Sequence, residues 1–216
     1  TGVHPAGARV LLSFDDAFSS NFQIAAQILD PLGIKALFFV NPELLDLEPS
    51  AQRSAIARYI FDGKIEADAL PAEMRLMSWD EVRSLRDRGH EIGCHGMSHR
   101  RLSALTDTEL DREVLGAAAL LAERLGHSSK WYAYAFGDIG SISTKALKLI
   151  AERFSVCRSG VRGENGSQTT GMALRADSID LFRSAGLRNL AITGGLDWRY
   201  RSARAQLDHL ALSVRA

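Results

Sequence analysis

The chain holds 216 residues, and its 26 Lys and Arg balance 26 Asp and Glu, so the formal charge is zero and no basic tract offers itself to a polyanion such as nucleic acid. Hydrophobic residues make up 46% of it, enough for one sizeable core, yet no apolar run is long enough to span a bilayer. Residues 1–216 are therefore expected to form a single α/β domain. The two cysteines, Cys94 and Cys157, do not make a disulfide framework for a chain this size and leave the compartment open. The sequence opens Thr1-Gly2-Val3-His4 rather than with Met, which suggests a processed or excised chain.

Arg9 to Phe14 is a short apolar run closed by Asp15-Asp16 and reads as a buried strand. Phe22, Ile24, Ala25, Ile28 and Leu29 recur at helical spacing, with Gly33 as the stop. Lys35 to Val40 is strand-like again. This βαβ succession implies parallel strands and a right-handed crossover. Residues 41–77, punctuated by Pro42, Pro49 and Pro71, read as an insertion beside the core, with a helix over Ser50–Phe61. Ser78 with Glu81 forms a capping box ahead of Val82 and Leu85, and Gly89 ends that helix. A strand over His90–Cys94 follows. Thr106 with Glu109 caps a long helix whose apolar stripe is Leu110, Val114, Ala117 and Leu121, stopped by Gly126. Then come a strand over Trp131–Phe136, a helix over Ser143–Phe154 and a strand over Ser155–Arg158. Gly163, Gly166 and Gly171 mark a long loop, Leu190–Thr193 a short strand, and Ser202–Val214 a terminal helix.

The chemically distinctive residues all follow strands. Asp15 and Asp16 follow the first, His95 and His99 the one at 90–94, and Phe136 and Gly137 the one at 131–135. In a parallel barrel the strand C-termini open on one face, so these groups should converge. Two imidazoles four residues apart plus one carboxylate suit a divalent metal, zinc above all, and leave the second carboxylate of the doublet free as a base. The same two-His, one-carboxylate set can hold Fe(II), and each part has a plainer reading: Asp-Asp as a turn or helix cap, the histidines as surface or core. Strand alternation turns Cys94 away from His95 and into the core. His4, His90 and His127 have no such partners and read as structural or surface residues.

At these positions the chain resembles the polysaccharide deacetylases of the NodB-homology type, carbohydrate esterase family four. Ser13-Phe14-Asp15-Asp16 looks like the family's T-F-D-D motif, and His95-Gly96-Met97-Ser98-His99 is similar to its H-[ST]-x-x-H motif. The framing segments Leu32–Ala36 and Gly89–Gly93 are similar too. Ala133-Tyr134-Ala135-Phe136-Gly137 matches the third motif, R-x-P-x-G, in part, and lacks its Arg at Ala133; Arg158, after the next strand, is the candidate replacement. Asp197-Trp198 resembles a fragment of the fourth motif. Leu207-Asp208-His209 carries the letters of the last, L-x-H, but within a predicted helix, and the chain is expected to end before the true motif.

The resemblance implies a distorted (β/α) barrel, incomplete at its C-terminal end. It also implies metal-dependent removal of N-acetyl groups, or O-acetyl groups, from the sugars of an acetylated glycan; the compartment stays open, an envelope or extracytoplasmic setting being favoured over a cytoplasmic one. By position it makes Asp15 the general base, Asp16, His95 and His99 the metal ligands, and the Phe136 N–H an oxyanion donor. Arg158 becomes the partner of Asp15, Tyr134 and Gly137 substrate contacts, and His209 a poor candidate for the leaving-group acid. Because the third and last motifs are incomplete, a glycan-binding pseudoenzyme of the same fold is the alternative, and an Fe(II) oxygenase ranks behind both.

Overall fold

The computed structural model describes residues 10–179 and 183–214; Arg9, assigned to the opening strand, and His4 lie outside them. Five short strands, β1 (Ser13–Phe14), β2 (Leu37–Val40), β3 (Glu91–Cys94), β4 (Trp131–Ala133) and β5 (Val156–Arg158), pair in sequence order, every neighbour parallel. Each crossover is helical. The first is α1 (Ser19–Ile24), prolonged through Ala25–Leu29. The second holds α2 (Pro42–Leu45), α3 (Pro49–Ala55, prolonged through Ile56–Ile60) and α4 (Trp79–Asp87). The third runs unbroken as α5 (Asp107–Asp111), Arg112–Gly116 and α6 (Ala117–Leu125). The fourth is α7 (Thr144–Arg153). Two more helices, α8 (Ala185–Ile192) and α9 (Arg201–Leu212), follow β5. Among the described residues no helix is long and apolar enough to cross a membrane.

The capping signals form as the sequence requires. Ser78 and Glu81 exchange hydrogen bonds at the start of α4, Thr106 and Glu109 at the start of α5, and Gly126 closes α6 at φ 77°. Strand alternation sorts the core. Phe38, Val40, Ile92, Cys94, Tyr132 and Cys157 face the helices in the main apolar cluster, whereas Leu37, Phe39 and Ala133 form a smaller cluster on the opposite, inner face of the sheet. Both cysteines are free and buried on the helix side. Segment 41–77 contributes Leu44, Ile56, Leu70, Leu76 and Met77 to the main cluster.

Three local expectations are corrected. Residues 10–14 do not make a buried strand: β1 is two half-buried residues on the sheet edge, and Val10 and Leu11 are exposed. Leu190–Thr193 is not a strand but the end of α8, whose Ser184 cap accepts the Leu187 N–H; a short apolar run does not tell strand from helix, and the cap decides. The strand expected to reach Phe136 ends at Ala133, opposite Arg158 at the end of β5, and Phe136 itself takes a left-handed φ of 65°, outside strand geometry.

Candidate active site

β1 and β5 lie four strand spacings apart in the order, a span of about 19 Å in a flat sheet. Yet Arg158, at the end of β5, places its Nη2 2.5 and 2.6 Å from the two carboxylate oxygens of Asp15, just past β1. An arginine cannot bridge a flat sheet of that width, so the sheet is curled with its inner face concave. Arg158 pairs with Ala133 of the inner cluster and lies over the ring of inner-face Phe39 at 4.8 Å.

The chain leaves β1 through two consecutive left-handed residues, Asp16 (φ 68°) and Ala17 (φ 58°), a strained turn that brings both acidic side chains to one place. The Met77 N–H donates to Ala17 O at 2.8 Å and Asn21 Nδ2 to Asp15 O at 3.2 Å, which holds the turn. At the end of β3, Gly96 (φ 83°) and His99 (φ 62°) wind a tight loop that returns the second imidazole beside the first, ring centroids 5.1 Å apart. Asn41 Nδ2 donates to His95 O at 2.6 Å. The buried carboxyl group of Glu113 accepts from Ser98 N at 2.8 Å, Ser98 Oγ at 3.0 Å and Arg100 N at 3.3 Å, so a side chain from the long third crossover caps the loop.

Asp16, His95 and His99 thus converge, one ligating atom from each lying within 4.8 Å of the others. The hydrogen bonds behind them set their protons. His95 Nδ1 lies 2.8 Å from Ala133 O, and His99 Nδ1 2.8 Å from Tyr59 O; carbonyls only accept, so both Nδ1 atoms carry hydrogen and each neutral ring presents an Nε2 lone pair. Burial lowers the pKa of both rings and favours that neutral form. The two Nε2 atoms lie 3.5 and 3.3 Å from Asp16 Oδ1, a buried oxygen with no hydrogen-bond partner. Three acceptors facing one another call for a cation between them. Their spacing is close to the edge, roughly 3.3 Å, of a tetrahedron with metal–ligand bonds of about 2.0–2.1 Å. Burial, with the charge of Asp15 alongside, pushes the Asp16 carboxyl up to about 6 against the pull of His95. Asp15 goes the other way: burial would raise it, but Arg158, His95 and His99 together outweigh burial and hold it below the ordinary carboxylate value.

The same folding pattern recurs in known proteins. Residues 3–153 match the family described as polysaccharide deacetylase. The chain belongs to the polysaccharide deacetylase family. Solved deacetylase structures share its fold: the de-N-acetylase of Aggregatibacter actinomycetemcomitans (TM-score 0.64, 17% identity, 84% of this chain and 74% of that one), the BpsB deacetylase domain of Bordetella bronchiseptica (0.61, 17%, 76% and 69%), and the Streptococcus pyogenes deacetylase PplD in complex with acetate (0.60, 17%, 79% and 64%). The chain therefore spans just under two thirds of the streptococcal protein's length. No curated protein matches it by sequence.

Within this deacetylase frame the remaining expected site residues divide. Phe136 sits at the mouth, its ring 4.7 Å from that of His99 and under the guanidinium of Arg101 at 3.9 Å. Gly137 sits at φ 69° where a Cβ would come within 2.5 Å of Gly160 N, and its carbonyl accepts from that N–H at 2.8 Å. Tyr134 is 2% exposed and spends its hydroxyl on Gly137 O at 3.0 Å. Both residues hold the turn that carries Phe136; the expected sugar contact through the Tyr134 side chain is not one this burial permits. His209 is exposed on α9, beside an Asp208 that pairs with Arg175 and a Leu207 buried in the core, so those three letters serve a helix. Asp197 lies 3.8 Å from Arg204, and Trp198 is exposed.

Residues that sequence reasoning missed are mostly backbone acceptors, Tyr59 O and Ala133 O, for which no side-chain pattern exists. Glu113 is different: it falls three residues after Leu110 and four before Ala117, on the buried face of its helix, where an acid stands out.

Proposed function

We propose that the protein is a metal-dependent hydrolase that removes N-acetyl groups from the sugars of a glycan, with zinc the metal best suited to its donors. Support comes from one observation above all: an Asp-His-His cluster with its lone pairs turned inward, beside a separate carboxylate held by an arginine. Asp16, His95 and His99 would hold the ion, which when bound supplies carbonyl polarisation and a water acidic near neutral pH.

Asp15 is the base. Arg158 keeps its carboxylate ionised and aimed, so an Oδ atom can take a proton from the water that attacks the acetyl carbon. The Phe136 N–H, on the left-handed turn after β4, donates to the oxygen that becomes negative in the tetrahedral intermediate. Asp15 then returns its proton to the sugar nitrogen as the C–N bond breaks, giving acetate and a free amine. No histidine from α9 is needed for that transfer.

Acetate release from a panel of N-acetylated oligosaccharides, before and after treatment with a chelator and zinc add-back, tests the reading. Chelation should abolish release and zinc should restore it. Asp15→Asn should keep zinc stoichiometry but lose at least about 100-fold in kcat, the usual worth of a positioned base. Asp16→Ala should also weaken zinc binding, by at least about 100-fold, more than loss of an outer-shell partner costs. Zinc-independent release, or full activity in Asp15→Asn, would overturn it.

A further inference from the structure

Two contiguous hollows open beside His99. The smaller, about 190 Å³, is bordered by His99 and Phe136 together with Arg58, Arg100, Arg101 and Asp62; the larger, about 410 Å³, shares Arg58, Tyr59 and Arg100 with it and continues to Arg112 and Glu43. A chain lying across His99 and Phe136 would run on into this groove. Four guanidinium groups and only two carboxylates line it.

The acids do not cancel the bases. Glu43 pairs with Arg112 at 2.5 Å, and Asp62 lies 3.4 Å from Arg101. Arg100 is held by Glu109, which lies outside the lining, through one of its five N–H donors. Arg58, exposed at the end of the α3 extension and common to both hollows, has no carboxylate partner among the described residues; its guanidinium lies 5.2 Å from the Tyr59 ring. Arg58 is therefore the surplus cation of the groove.

Such a surplus is a poor fit to a neutral polymer, and a worse one to the product of deacetylation, which is an ammonium-bearing sugar. It matches planar or tetrahedral oxyanions, which guanidinium groups bind by charge-assisted hydrogen bonds. We propose that this groove is a subsite for an anionic substituent, a carboxylate or a phosphate, on sugars flanking the acetylated residue, so that the preferred substrate is an acidic glycan. The inference rests on the glycan reading above. The repulsion between the groove and freshly formed amines would also drive the enzyme toward unmodified stretches of chain.

The test uses three matched N-acetylated oligosaccharides: neutral, carboxylate-bearing and phosphate-bearing. The expected result is a kcat/KM for at least one acidic substrate about tenfold above the neutral one, the scale of one added charge-assisted contact. That ratio should fall toward one in Arg58→Ala, survive in Arg58→Lys, and shrink at high salt. The two acidic arms tell carboxylate from phosphate. Equal or higher turnover of the neutral substrate, or a preference that Arg58→Ala does not move, overturns the subsite. If acetate is released from none of the three, the deacetylase reading has failed separately. Calorimetric binding of the same oligosaccharides then decides the groove: an Arg58-dependent preference for the acidic ligands upholds it, and equal affinities end it.

Discussion

Arg158 reaches Asp15 from a place other than the one where the family's arginine is expected. The position aligned with the family's arginine is Ala133, yet Ala133 and Arg158 are register partners on adjacent strands, and the guanidinium arrives at Asp15 from one strand further along. A single nitrogen, Nη2, reaches both carboxylate oxygens, so the contact is closer to a point charge than to a two-pronged fork. Arg158→Lys should therefore retain a measurable part of the activity, whereas Arg158→Ala should lower kcat/KM roughly 100-fold, the cost of a misplaced reacting group. Zinc affinity, read by equilibrium dialysis, should stay within about threefold of wild type in both, because the ligands lie on other elements. Identical losses in the two variants would show that shape rather than charge matters there. The doublet and the histidine pair were legible in the sequence as residue types. Their conformations were not: Asp16, His99 and Phe136 all take positive φ without being glycine, a strain imposed by neighbours.

At the scale of elements, helices with caps and stripes could be read to within a residue or two, as α4, the third crossover and α7 show. Short apolar runs could not, which is why residues 10–12 and 190–193 differ from the strands their sequence suggests. The third crossover does more than cover the sheet, since Glu113 reaches from it into the histidine loop. Glu113→Ala would strand the buried Ser98 and Arg100 N–H groups, so unfolding by urea should show a loss of about 2–4 kcal/mol. Glu113→Gln keeps one acceptor oxygen and should lose less than half as much. Zinc affinity should follow the same order, because the loop carries His99. If Glu113→Ala unfolds at the wild-type urea midpoint, the loop is held by something else.

The whole molecule is also tied together on the far side of the sheet. The Ala36 N–H donates to His90 Nδ1 at 3.1 Å, which leaves hydrogen on Nε2, and that nitrogen lies 3.0 Å from Asp30, where Arg88 joins. Burial lowers the pKa of His90; Asp30 is lowered as well, because Arg88, His90 and Lys35 outweigh its own desolvation. Both groups thus have folded values below their unfolded ones, near 6.5 and 3.9. Their contribution is complete above about pH 6.5 and is lost as pH falls through the folded values. The melting temperature should therefore drop between pH 7 and pH 4 as His90 takes up a proton, and drop further in Asp30→Asn, which loses the carboxylate that favours the charged ring and should start several degrees lower at pH 7. An unchanged acid profile in that variant would place the sensitivity elsewhere.

The partnership of Asp15 with Arg158 joins residues 143 positions apart. The three groups suited to an ion are all synthesised by residue 99, whereas the arginine beside Asp15 comes 59 residues later, so on the proposed roles a nascent chain holds its metal ligands long before the proposed base gains its partner. If those roles hold, a chain cut anywhere between β4 and β5 should sequester metal without turning over substrate.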